Sequence, residues 1–97
     1  MRVLINATGA TGYVRTGFYM QLADDRPPLA EINNIAAMAG IPGYAQGGTV
    51  NAKLELPKVK LQIDANYDGT AETDLKHDRS LRKNGVQNDM TLYLVDA

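Results

Sequence analysis

The sequence predicts an α+β domain in which four or five strands form a mixed sheet and one helix packs across a face. Three observations lead there. Apolar residues alternate at period two near both ends of the chain, the pattern of half-buried strands. One stretch, and only one, instead spaces its apolar residues as a helix does. With 97 residues and 44% hydrophobic content, the chain has room for one domain, residues 1–97, built on one core.

Taken in order, Val3 and Ile5 alternate with Arg2, Leu4 and Asn6, and Thr8-Gly9-Ala10-Thr11-Gly12 follows as a flexible turn. Val14, Thr16, Phe18, Met20 and Leu22 then keep strict period two, with Tyr13, Arg15, Gly17, Tyr19 and Gln21 on the other face. Residues 1–22 therefore read as a hairpin. Asp24-Asp25-Arg26-Pro27-Pro28 ends the strand and starts a helix, since acidic residues and proline both favour a first turn. Leu29, Ile32, Ile35, Ala36 and Ala39 mark its apolar face, Gly40 closes it and Pro42 prevents its continuation. Beyond a glycine-rich loop, Val50, Ala52, Leu54 and Leu56 alternate at even positions and Val59, Leu61 and Ile63 at odd ones. The change of phase at Pro57 predicts two pieces or a bulged edge. Asp64 to Gly69 reads as a turn, 80–86 as a short helical turn with its connector, and Thr91-Leu92-Tyr93-Leu94-Val95 as the last strand.

Ten basic and eleven acidic residues leave a formal charge of −1, without the basic footprint expected of a nucleic-acid or anionic-membrane binder. The absence of cysteine removes disulfides, thiolate metal sites and a Cys nucleophile. No apolar run approaches the ~20 residues that span a bilayer, and the strand-like start lacks the regions of a signal peptide, so a cytoplasmic protein is expected.

Several strings invite chemistry. MRVLINATGATGYV looks like the first strand and glycine turn of a dinucleotide-binding fold, but G-x-x-G-x-x-G would need glycine at Asn6, and a strand pattern follows where a helix is required. No cofactor is expected. Asp64, Asn66, Asp68, Thr70 and Glu72 have the spacing of the first ligands of a calcium loop, yet the twelfth position holds Leu75 where a bidentate acid belongs. An Asp-Gly turn uses the same residues for conformational reasons. His77 is the only histidine, Ser80 lacks a base for a triad, and the pairs Asp24/Asp25 and Asp74/Asp78 lie in polar turns where raised pKa values are not expected. No enzyme emerges from the residues.

The element order, with Ala39-Gly40-Ile41-Pro42-Gly43 closing the helix, resembles the β-grasp roll of ubiquitin-like domains. The likeness is best from Lys58 to Asp96, where KVKLQID, DRSLRKNGV and QNDMTLYLVD look like the third strand, the connector and the last strand after a polar turn. The ending is most similar to the ubiquitin-like domains of tubulin-folding cofactors. This resemblance implies a protein-binding adaptor without catalysis. Residues 43–57 exceed the family's connection, and the chain as given ends Val95-Asp96-Ala97 with no Gly-Gly tail, so conjugation is not expected. Where ubiquitin's recognition patch requires apolar residues stand Thr8, Lys60 or Gln62, and Val95, of which only Val95 is apolar. Binding to standard ubiquitin receptors is therefore not expected either. The expected contact face is Arg15, Tyr19, Lys60, Gln62, Tyr93 and Val95, because tyrosine and arginine are favoured at interfaces. Two other classes stay open: a bacterial or viral ubiquitin-like protein that self-associates or acts as a modifier, and a calcium-binding β domain using 64–72.

Overall fold

A computed structural model describes residues 1–42, 44, 59–64 and 69–97. The chain is α+β, with a five-stranded mixed sheet and one α-helix among the described residues. The strands are β1 (Arg2–Gly9), β2 (Phe18–Gln21), β3 (Val59–Ile63), β4 (Thr73–Asp74) and β5 (Thr91–Asp96), and the helix is α1 (Pro28–Ala39). Their order across the sheet is β2-β1-β5-β3-β4. β1 and β5 run parallel, and every other neighbouring pair is antiparallel.

The expected alternation holds in three strands. Val3, Ile5 and Ala7 of β1, Val59, Leu61 and Ile63 of β3, and Leu92 and Leu94 of β5 are buried on one face of the sheet. Ile32, Ile35, Ala36 and Ala39 of α1 join them, and Leu75, Leu81 and Val86 close the core from the loop before β5. Burying one such aliphatic side chain is worth about 1.5–3 kcal/mol.

The second strand is shorter than its pattern. Period two predicts pairing from Val14 onward, but β2 begins at Phe18 and Val14 is 76% exposed. The reason lies in the hydrogen bonds. Thr16 Oγ1 accepts the Ala7 N–H at 2.8 Å, displacing a ladder bond, and Gly17 adopts φ +69° while donating to the Ile5 carbonyl. Upstream, the N–H groups of Val14 and Arg15 both donate to the Ala39 carbonyl, at 2.7 and 3.0 Å. That carbonyl is one of the acceptors a helix leaves unpaired at its C-terminus. The segment thus caps α1 and does not extend the sheet.

α1 starts with Pro28 at its first position and no side-chain cap. It ends at Gly40, φ +83°, with Gly40 N–H donating to Ala37 O and Ile41 N–H to Ala36 O, the paired bonds of a Schellman motif. A Cβ at Gly40 would sit 2.8 Å from Cβ of Val14, so glycine is required by conformation and by space. Leu29, expected inside, is 42% exposed. Glu31 is buried in its stead, with Arg26 Nη1 3.3 Å from its carboxylate.

The predicted helical turn after Ser80 is a 3₁₀ turn, Arg82–Asn84, closed by Gly85 at φ +91°. It is tied to the loop before α1: Leu81 N–H donates to Arg26 O and Arg82 N–H to Asp24 O, while the Arg82 guanidinium pairs with the Asp24 carboxylate. The alternation expected at 50–56 and the phase change at Pro57 lie outside the described residues.

Candidate functional site

The sheet has one face toward α1 and one that no described element covers. Residues of the second face follow from the register. Tyr19 pairs with Leu4, which pairs with Thr91. Asn6 pairs with Tyr93, Tyr93 with Gln62, and Gln62 with Asp74. Val95 pairs with Lys60. Their in-between neighbours Val3, Ile5, Leu61, Leu92 and Leu94 are buried against the helix, so these residues point the other way.

Five of the six expected contact residues, Tyr19, Lys60, Gln62, Tyr93 and Val95, therefore share this face. Tyr19 is 57% exposed, and the other four are half-buried. Tyr19 and Tyr93 stand on strands separated by β1 alone, roughly 10 Å apart at about 4.8 Å per strand spacing. Leu4 lies beside Tyr19 on the strand between them, and Val95 two residues beyond Tyr93 continues the apolar part of the face.

Arg15 corrects the expectation. It precedes β2, its backbone is bonded to the end of α1, and its guanidinium lies 5.1 Å from the ring centroid of Phe18, a residue of the helix-facing register. The arginine that does accompany the tyrosines is Arg2. Its guanidinium sits 4.7 Å from the Tyr19 centroid and is held by Asp89, with Nε and Nη2 at 2.8 and 2.6 Å from Oδ1. Arg2 was readable from the alternation of β1, which places it with Leu4; its approach to Tyr19 needs the β1–β2 register.

The other flank is polar. Gln62 Nε2 donates to Asp74 Oδ1 at 2.7 Å, and the Lys60 ammonium lies 3.1 Å from the same carboxylate. These two contacts, the Gln62 hydrogen bond foremost, hold the Asp74 carboxyl below the usual carboxylate range. With their heads turned to β4, Lys60 and Gln62 offer mainly their aliphatic stems to anything that lands on the face. A shallow depression of about 340 Å³ opens at the end of the sheet, lined in part by Asp64, Met90, Thr91 and Tyr93.

Asp64 Oδ2 accepts the Gly69 N–H, five residues on, at 2.7 Å, while Asn66 and Asp68 lie outside the described residues. Thr70 and Glu72 are exposed, and among the described residues no three His, Asp or Glu side chains gather as a metal site would require. Arg82 lowers the pKa of Asp24 chiefly through their hydrogen bond. Asp24 and Asp74 thus shift in the direction opposite to that of a general acid. His77 and Asp78 are exposed. Among the described residues, no helix is long and apolar enough to cross a membrane.

No family model, curated protein or solved structure matches this chain.

Proposed function

We propose that the chain is a ubiquitin-like, β-grasp protein-interaction module whose contact surface is the sheet face bearing Tyr19, Leu4, Tyr93 and Val95. The strand order β2-β1-β5-β3-β4, with β1 and β5 parallel and α1 on one side, is compatible with a β-grasp roll. The observation that carries the functional reading is the pairing of two tyrosines with aliphatic neighbours on a face that no described element covers. Tyrosine supplies large, rigid contact area, and patches of this kind mark interaction sites. The resemblance of the chain's ending to the ubiquitin-like domains of tubulin-folding cofactors suggests an adaptor of that type as the setting.

The test compares wild type with the Tyr19→Ala/Tyr93→Ala variant as bait in cytosolic extract, with circular dichroism verifying that both are folded. A partner held by wild type should bind the variant at least about tenfold more weakly, because hot-spot truncations cost on the order of 2 kcal/mol each. Equal capture by the two baits places the contact elsewhere. Among the described strands β2 lies at an edge of the sheet, which favours self-association as the second reading. A light-scattering mass that rises with concentration supports it.

A further inference from the structure

We infer that Asn84-Gly85 is a latent deamidation site, held closed by the folded 76–86 connector and released when that connector opens. It is the only Asn-Gly pair in the sequence. Asparagine is lost when the following backbone nitrogen gives up its proton and attacks the side-chain Cγ. A C–N bond forms, the Cγ–Nδ2 bond breaks and ammonia leaves. Water then opens the succinimide to aspartate or isoaspartate, with no oxidant or reductant involved. Glycine makes the attack easy because no Cβ obstructs the approach and the backbone can rotate to reach it.

The fold engages both reacting groups in hydrogen bonds to other partners. The Asn84 side chain turns back over the preceding loop: Oδ1 accepts the Lys76 N–H at 2.7 Å, and Nδ2 lies within hydrogen-bond range of the carbonyls of Lys76, Ser80 and Arg79, at 2.9, 2.9 and 3.3 Å. The nucleophile is engaged as well, since Gly85 N–H donates to Arg82 O at 3.0 Å. Access does not protect the pair, because Asn84 is half-buried and Gly85 exposed. Geometry does.

The reaction would also prevent reclosure. A carboxylate at position 84 cannot donate to the carbonyls that Nδ2 now serves, and it repels them. Isoaspartate adds a methylene to the backbone of a tight 3₁₀ turn. Leu81 and Val86, at 0% and 1% exposure, anchor that turn on both sides, so the core opens with it. One opening event becomes permanent, and the site marks molecules that have unfolded locally.

The test uses the unmodified full chain in mildly alkaline buffer without urea, with urea just below the unfolding transition, and with urea well above it. Peptide mass spectrometry follows Asn, Asp and isoaspartate at position 84. The native chain should react at least roughly tenfold more slowly than the unfolded one, and sub-transition urea should accelerate it, because the rate scales with the open fraction. Converted chain returned to buffer should melt lower than wild type or fail to refold, and either result supports the inference. Equal rates in native and unfolded chain overturn the gating, and an unchanged melting midpoint of the converted chain overturns the loss of reclosure.

Discussion

Single side chains hold the loops of this protein in place. Asp96 is the clearest case: Oδ1 accepts the Thr11 N–H at 2.8 Å and Oδ2 the Thr11 hydroxyl at 2.6 Å, clasping the turn after β1 to the end of β5. Those bonds favour the ionised form and lower the Asp96 pKa, the hydroxyl contact most. A carboxylate whose folded pKa is depressed stabilises the fold above its unfolded pKa and loses that effect as pH falls through the folded value. The Asp96→Ala variant should therefore melt below wild type at neutral pH. The gap between the two melting curves should close as the pH drops below the usual carboxylate range; a gap that persists in strong acid would assign the effect to packing. Asp89 works by conformation as well as charge. It adopts φ +67°, which aspartate tolerates better than most residues, donates its N–H to Arg2 O and holds the Arg2 guanidinium.

Among the elements, the helix separates what periodicity can and cannot tell. Ile32, Ile35, Ala36 and Ala39 face the core as their spacing requires, whereas Leu29 does not. The first turn of α1 carries Pro27, Pro28 and the Arg26–Glu31 pair, and there Glu31 is buried while Leu29 is exposed. Ile35→Ala should cost about 2–5 kcal/mol in urea unfolding, as large-to-small core changes do. Leu29→Ala should stay within about 0.5 kcal/mol, as surface changes do. A comparable loss from both would return Leu29 to the core. β2 teaches the same lesson, since five positions alternating from Val14 to Leu22 suggested a longer strand than Thr16 and Gly17 permit.

At the level of the whole molecule, the final strand joins the two ends of the chain. β5 pairs with β1 on one side and β3 on the other, and supplies Leu92 and Leu94 to the centre of the core. A chain ending at residue 90 should consequently lose cooperative unfolding and near-ultraviolet dichroism, whereas one lacking only Ala97 should keep both. Survival of a sharp transition in the shorter chain would show that β5 is dispensable. The candidate face is a product of the same topology, because Tyr19 and Tyr93 are 74 positions apart in the chain and share a face only when β5 inserts beside β1.

By itself, the sequence determined the strands β1, β3 and β5, the extent of α1 with its Gly40 stop, and the inward set Val3, Ile5, Leu61, Ile63, Leu92 and Leu94. These follow from local periodicity and backbone chemistry, which act over a few residues. Tertiary structure alone decided the order of strands, the shortening of β2, the outward turn of Leu29, and which arginine stands by Tyr19. The last three go with particular hydrogen bonds or ion pairs, Thr16 to Ala7, Arg26 to Glu31 and Arg2 to Asp89, and the first with the pairing of whole strands. Alternation marks a buried face, but it carries no information about which strand will lie beside it.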